Sequence, residues 1–290
     1  MSRTLIVGCG YLGQRVGKIL AARGETVYGT VRSTARAASL LSADIEPVIA
    51  NVLAPDSLAD LPVVDRVLYC VGFDRSGADS MRSVYVEGLR NFLEHAPGTA
   101  GQLVYVSSTG VYGRNDGGWI TEDDPAEPAH ESGRVCLEAE AVARHLGPGR
   151  GLNPVVIRCS GLYGPQRLPR KATLERNEPI AGDPTKFLNL IHIDDAANLA
   201  VATLDRGAPG RIYHVSDDRP VERQEFYRLV ATLLGLAPPR FEALIPDNPA
   251  AAREESNKRI SNRRIRTELQ VELTFPDIQS GVPAAIAASG

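Results

Sequence analysis

Apolar positions along this chain follow two alternating habits. Thr4-Leu5-Ile6-Val7 is a continuous apolar run stopped by glycine, the pattern of a strand buried on both faces. Leu12, Val16, Ile19 and Leu20 then recur at helical spacing, and Gly24 closes that segment as a C-terminal cap. The alternation continues. Residues 26–31, 45–49, 67–71, 103–106 and 154–158 read as strands, and 84–94 and 132–146 as helices. Strand–helix alternation of this kind predicts a doubly wound α/β fold, with parallel strands joined by right-handed crossovers and helices on both faces. The regularity breaks near Gly164. Beyond it come proline- and arginine-rich connections, short strands at 188–193 and 211–215, a helix over 222–234, and a loop-like stretch from Pro238 to Asn257. Ile278, Val282 and Ile286 mark a short C-terminal helix.

Composition narrows the class. The 290 residues carry a net charge of −3, are 43% hydrophobic and 23% charged, and contain no repeat or low-complexity segment. That balance excludes disorder, collagen-like sequence and coiled coil, and gives no electrostatic case for binding nucleic acid or an acidic membrane. No apolar run approaches the ~20 residues of a membrane span. The first strand begins almost at once, so no signal peptide is expected. Cys9, Cys70, Cys136 and Cys159 contain no C-x-x-C pair, so no metal site is expected. Cys9, Cys70 and Cys159 fall in or beside apolar runs and read as small buried side chains, all four cysteines being reduced thiols in a cytoplasmic protein.

The candidate chemistry starts at Gly8-Cys9-Gly10-Tyr11-Leu12-Gly13, a G-x-G-x-x-G between the first strand and first helix. In that position Gly8 permits the tight turn, Gly10 lets a diphosphate approach the backbone, and Gly13 lets helix pack on strand. The free amides and positive end of the helix then face the phosphates. The second strand runs into Thr30-Val31-Arg32-Ser33-Thr34, without the carboxylate that an NAD ribose hydroxyl prefers. Arg32 suits a 2′-phosphate, with Ser33 and Thr34 as further donors, so NADP is favoured and NAD remains open.

From here the chain resembles the extended short-chain dehydrogenase/reductase superfamily of nucleotide-sugar epimerases and dehydratases. The residues that carry the resemblance are the glycine loop, Val104-Tyr105-Val106-Ser107-Ser108-Thr109-Gly110-Val111-Tyr112-Gly113, Ile120-Thr121-Glu122 with Pro125 and Pro128, Leu162-Tyr163-Gly164-Pro165, Ile191-His192-Ile193-Asp194-Asp195-Ala196, and Tyr213-His214-Val215-Ser216-Asp217. The resemblance implies a Rossmann-type dinucleotide-binding domain over 1–165, rejoined by 188–216. Residues 166–187 and 217–290 then form a smaller substrate-binding domain. It implies that Asn51 and Val52 lie near the adenine, that Cys70, Val71 and Gly72 line the cofactor ribose, and that Ser108 holds the substrate oxygen. Asp194 and Asp195 read as helix N-caps.

The family's tyrosine–lysine pair is missing. Aligned on Pro128 and Leu137-Glu138-Ala139-Glu140, Ser132 stands at the tyrosine position and Cys136 at the lysine position. No Tyr-x-x-x-Lys occurs anywhere in the chain. Serine does not replace a phenol near neutral pH without a base, and a neutral thiol supplies no ammonium field. The substitutes at hand are His130, of the residue type suited to proton transfer near neutrality, and Tyr112 and Tyr163. Basic residues at Arg167, Arg170, Lys171, Arg176 and Lys186, and at Lys258, Arg259, Arg263, Arg264 and Arg266, serve either as a diphosphate clamp or as solvated surface. Two functions remain open: an epimerase-like oxidoreductase with a degenerate dyad, acting on a nucleotide-sugar-like small molecule, or a non-catalytic NADP(H) sensor or scaffold. A hydrolase lacks the needed residue spacing. The resemblance makes a homodimer the default assembly, with no nucleic-acid or membrane partner.

Overall fold

The computed structural model describes residues 2–98, 101–243 and 256–289. In chain order its elements are β1 (Arg3–Val7), α1 (Gly13–Ala22), β2 (Thr26–Val31), α2 (Thr34–Leu41), β3 (Glu46–Ile49), β4 (Arg66–Tyr69), α3 (Gly88–His95), β5 (Gly101–Ser108), β6 (Trp119–Ile120), α4 (Glu131–Leu146), β7 (Leu152–Cys159) and β8 (Gly161–Tyr163). There follow α5 (Lys171–Glu175), β9 (Ile180–Ala181), β10 (Phe187–Leu188), β11 (Leu190–His192), α6 (Ile193–Arg206), β12 (Ile212–Val215), β13 (Val221–Glu222), α7 (Arg223–Leu233), β14 (Phe241–Glu242), β15 (Arg259–Ile260), α8 (Arg263–Leu269) and α9 (Ile278–Ala287).

Seven strands form one sheet in the order β12-β7-β5-β4-β1-β2-β3, every neighbouring pair parallel. Side chains alternate across it with period two. Leu5, Val7, Val67, Tyr69, Leu103 and Tyr105 pack on one face against Leu89 and Phe92 of α3 and Ala139 and Val142 of α4. Ile6, Leu68 and Val104 pack on the other against Val16 and Leu20 of α1, Ala197 and Val201 of α6, and Ile265 and Leu269 of α8. Both faces are covered, which is why the strands read as unbroken apolar runs. A third cluster, separate from those on the sheet's two faces, joins Tyr163, Leu174, Phe226, Val230, Ile278 and Val282. The order reverses between β1 and β4, so a crevice opens above their C-terminal ends.

Where the sequence pattern and the structure differ, the burial pattern gives the reason. In α2 only Leu40 is buried, so the helix carries no apolar stripe. The expected strand over 188–193 divides at Asn189 into β10 and β11. α6 follows at once, with ten of its fourteen residues buried and only a narrow polar face left to solvent. Asp194 and Asp195 are not its caps. His192 is the cap residue, with Nδ1 accepting from the Asp194 amide at 3.3 Å. Asp195 instead accepts from the amides of Thr274 and Phe275, both at 2.8 Å, and so pins the C-terminal segment to α6. Within the expected loop 238–257, Phe241–Glu242 pairs with β9, and residues 244–255 lie outside the described residues.

Candidate cofactor and active site

The glycine loop is shaped by its backbone. Gly8 has φ +85°, and a Cβ there would stand 2.6 Å from Val71 Cα, so no other residue fits without displacing the chain. Thr30 of β2 holds the turn: its Oγ1 accepts from the Gly8 amide at 2.8 Å and its carbonyl from Cys9 at 3.0 Å. A Cβ on Gly10 would meet nothing closer than 3.9 Å, so the space beside it is open. Gly13 abuts Ile6, which seats α1 on β1. No side chain caps α1, and the amides of Tyr11 and Leu12 find no acceptor among the described residues. Free amides at a helix start, with roughly half an elementary charge of dipole behind them, form an anion site.

A cavity of about 540 Å³ opens beside Gly10, lined also by Tyr11, Gln14, Arg15, Arg36 and Pro165. Tyr11 donates its hydroxyl to the Pro165 carbonyl at 2.9 Å, and the Arg15 guanidinium lies over its ring at 4.3 Å. Arg15 is steadied by Asp194 at 2.9 Å and by the Tyr11 carbonyl at 3.0 Å. An open backbone cradle with two guanidinium groups beside it fits a dinucleotide diphosphate.

The other residues tied to the cofactor by sequence gather at the same edge. Cys70 donates its thiol to the Gly8 carbonyl at 3.3 Å, Val71 packs on Gly8, and Gly72 borders open space. Asn51, just past β3, accepts from the Leu53 amide at 3.1 Å, and the Val52 carbonyl accepts from Asn91 at 2.9 Å. Ser33 precedes α2 with an extended backbone, and its hydroxyl does not cap the helix. Arg32 is largely exposed and lies 3.8 Å from Asp74.

The end of the crevice at Ser108 is built differently. Ser108 ends β5, and its hydroxyl accepts from the Gly110 amide at 3.1 Å. α4 meets this turn head-on: a Cβ on Gly133 would stand 2.3 Å from the Gly110 carbonyl. Ser132 and its neighbour His130, at the start of α4, are thereby brought to the Ser108 turn. Both are half-buried, and neither side chain has a hydrogen-bond partner among the described residues. Cys136, one turn further on, faces away. It is buried with Val111, Tyr112, Ile120 and Ile260, and burial pushes its thiol up to about 11.

Beneath the turn runs a buried polar chain. Ser107 donates to Glu140 at 2.6 Å, and Arg158 grips the same carboxylate at 2.9 and 2.7 Å. Arg158 also donates to the Tyr112 hydroxyl at 2.6 Å, and Tyr112 donates to His214 Nε2 at 2.7 Å. His214 Nδ1 faces the Ser261 carbonyl at 3.0 Å and therefore carries the proton. Burial pushes the His214 ring down to about 3, so it stays neutral. Tyr112 is consumed by this chain. Tyr163 is fully buried, and burial raises its phenol. Lys258, from the second of the two basic stretches, is buried too. Its ammonium donates to the Tyr112 carbonyl at 2.9 Å and the Ser256 hydroxyl at 2.7 Å, and burial lowers it to about 8. By contrast Lys171, Arg176, Arg264 and Arg266 pair with surface carboxylates.

Sequence marks none of Arg15, Arg36, Asp74, Glu140 or Arg158 as site or network residues. Arg36 stands one helical turn beyond Ser33, a spacing that points it to the same edge. The others are brought in by contacts between distant segments.

A doubly wound sheet with its glycine loop at the β1–α1 turn, and a strand-end serine set against a helix start, defines a Rossmann-type protein of the short-chain dehydrogenase/reductase kind. The family model for NAD dependent epimerase/dehydratases matches residues 4–216, and the chain belongs to that family. It is 30% identical to protein YeeZ of Escherichia coli K12 over 285 residues, covering 96% of this chain and 97% of that one. A Methylobacillus flagellatus structure provisionally assigned to the NAD-dependent epimerase/dehydratases is 34% identical, with a TM-score of 0.77 over 99% and 98% of the two chains. The dTDP-glucose 4,6-dehydratase DesIV of Streptomyces venezuelae, solved with NAD bound, shares the fold at 22% identity, with a TM-score of 0.84 over 99% and 96%. Among the described residues no helix is long and apolar enough to cross a membrane, and no cluster of His, Cys, Asp and Glu is arranged to hold a metal.

Proposed function

We propose that this chain binds NADP(H) in preference to NAD(H) and acts on a nucleotide-sugar-like small molecule by hydride transfer without a tyrosine–lysine pair. The observation that carries the reading is the open cradle at Gly10, bordered by the unpaired amides of Tyr11 and Leu12 and by the guanidinium groups of Arg15 and Arg36. Gly8, Gly10, Tyr11, Leu12 and Gly13 take the diphosphate. Asn51 and Val52 border the adenine, while Cys70, Val71 and Gly72 form the ribose wall. Arg32 and Ser33 receive a 2′-phosphate, the arginine through paired N–H donors. When bound, the nicotinamide supplies a site that accepts or returns a hydride.

Ser108 holds the substrate hydroxyl, His130 takes or returns its proton, and Ser132 orients it from the start of α4. Cys136, at the position of the family lysine, contributes packing. Residues 166–187 and 217–290 hold the substrate. Its nucleotide-sugar class is supported by family membership and by the fold shared with DesIV. A cytoplasmic homodimer is part of the same reading.

Fluorescence titration tests the cofactor assignment, with NADPH expected to bind more tightly than NADH. Turnover is tested with NADPH deuterated at the transferable position and a panel of nucleotide sugars that carry a ring ketone to accept the hydride, reading label in the sugar by mass. Label transfer that falls on Ser108→Ala and His130→Ala supports the reading. The second reading, a non-catalytic NADP(H) sensor, is favoured by the burial of Cys136, which leaves no cation at the dyad position. Tight binding with no label transfer to any sugar decides for it.

A further inference from the structure

Along the sequence no carboxylate stands near the end of β2, which is what favours a 2′-phosphate at Arg32. The fold brings one there from another crossover. β2 and β4 flank β1 on opposite sides, and the segment that leaves β4 passes over the glycine loop, where Val71 packs on Gly8. It carries Asp74 Oδ2 to 3.8 Å from Arg32 Nη2. The two side chains thus reach toward each other across the mouth of the crevice. Asp74 is held in place by its other oxygen, which accepts from the Ser76 amide at 3.0 Å and the Ser76 hydroxyl at 2.6 Å. Those bonds, with smaller help from Arg32 and Arg36, keep its carboxyl below the usual range and so ionised. Arg36 lines the cavity beside Gly10 and has no ion pair among the described residues.

We propose that Asp74 sets the cofactor selectivity of this site. It competes with a 2′-phosphate for Arg32, and it accepts a ribose hydroxyl when that phosphate is absent. The chain then uses both NADP(H) and NAD(H), with a preference narrower than Arg32 alone would give. A carboxylate that accepts ribose hydroxyl hydrogen bonds and also engages the guanidinium a 2′-phosphate needs moves the two affinities in opposite directions. This inference rests on the proposed NADP preference.

Titration of NADPH and NADH into the wild type, Asp74→Asn, Arg32→Gln and the double variant tests it. Asparagine keeps an acceptor for Ser76 and removes only the charge. Asp74→Asn is expected to tighten NADPH about threefold and weaken NADH about threefold, the scale of an exposed charge interaction. In the Arg32→Gln background the same change is expected to lose its effect on NADPH. An unchanged affinity ratio in Asp74→Asn, or equal tightening of NADPH with and without Arg32, overturns the proposal. A wild type that binds NADH more tightly than NADPH defeats the cofactor preference instead, and the ratio in Asp74→Asn still decides the role of Asp74.

Discussion

The two ends of the crevice are built on opposite principles. Above β1 and β2 the work is done by backbone: Gly8 makes the turn, Gly10 leaves room, and the start of α1 offers its amides. Around β5 and α4 it is done by buried side chains, with Glu140, Arg158, Tyr112 and His214 bonded in series under Ser108 and Lys258 bonded to the Tyr112 carbonyl. Glycines make a site whose loss removes binding and leaves the fold. A buried ionic chain makes a scaffold whose loss removes the fold first. Ser132 and Cys136, which the proposed function sets at the family's dyad positions, lie on α4 beside that buried chain.

Breaking the buried chain gives the largest expected effect. Glu140→Gln leaves Arg158 buried without its counter-charge, and loss of one partner of such a pair costs about 3–5 kcal/mol. Urea denaturation is expected to show that loss. A change below about 1 kcal/mol, within the range of an exposed pair, places the network outside the stabilising core.

Lys258 gives an effect of nearly that size through pH. Its pKa falls from 10.5 when unfolded to about 8 when folded. Between those values the unfolded chain binds more protons, so stability rises with pH across this window. The full rise is on the order of 3 kcal/mol. Lys258→Met is expected to flatten the curve measured from pH 7.5 to 9.5, and an unchanged slope would show that the ammonium is solvated.

Gly10→Val tests the other end. The open space accommodates the valine side chain, so the melting temperature is expected to hold while NADPH affinity falls about a hundredfold, or roughly 3 kcal/mol. Unaltered binding would place the cofactor elsewhere. The smallest effect is reserved for Cys136→Ala, a truncation in an apolar cluster expected to cost about 1 kcal/mol. If it abolishes hydride transfer while the fold persists, Cys136 acts on the reaction directly.

How far sequence reaches follows the same division. The glycine loop is legible because each glycine answers to neighbours a few residues away and to the strand and helix on either side. The seven-stranded sheet is legible because strands covered on both faces leave unbroken apolar runs. α6 was hidden by the burial of ten of its fourteen residues, and α2 by having almost none. Lys258 meets the Tyr112 carbonyl across 146 positions of sequence, and nothing local distinguishes it from its neighbours Arg264 and Arg266, which pair with carboxylates instead. Asp74 shows the sharper limit. Reading β2 alone finds no carboxylate, whereas the sheet order delivers one from β4.

A crystal of the protein soaked in NADPH tests the central claim most directly. The account predicts the diphosphate within hydrogen-bond distance of the Tyr11 and Leu12 amides, with the 2′-phosphate against Arg32. Electron density showing that crevice free of nucleotide at saturating NADPH, or the phosphates lying away from Gly10, would contradict it.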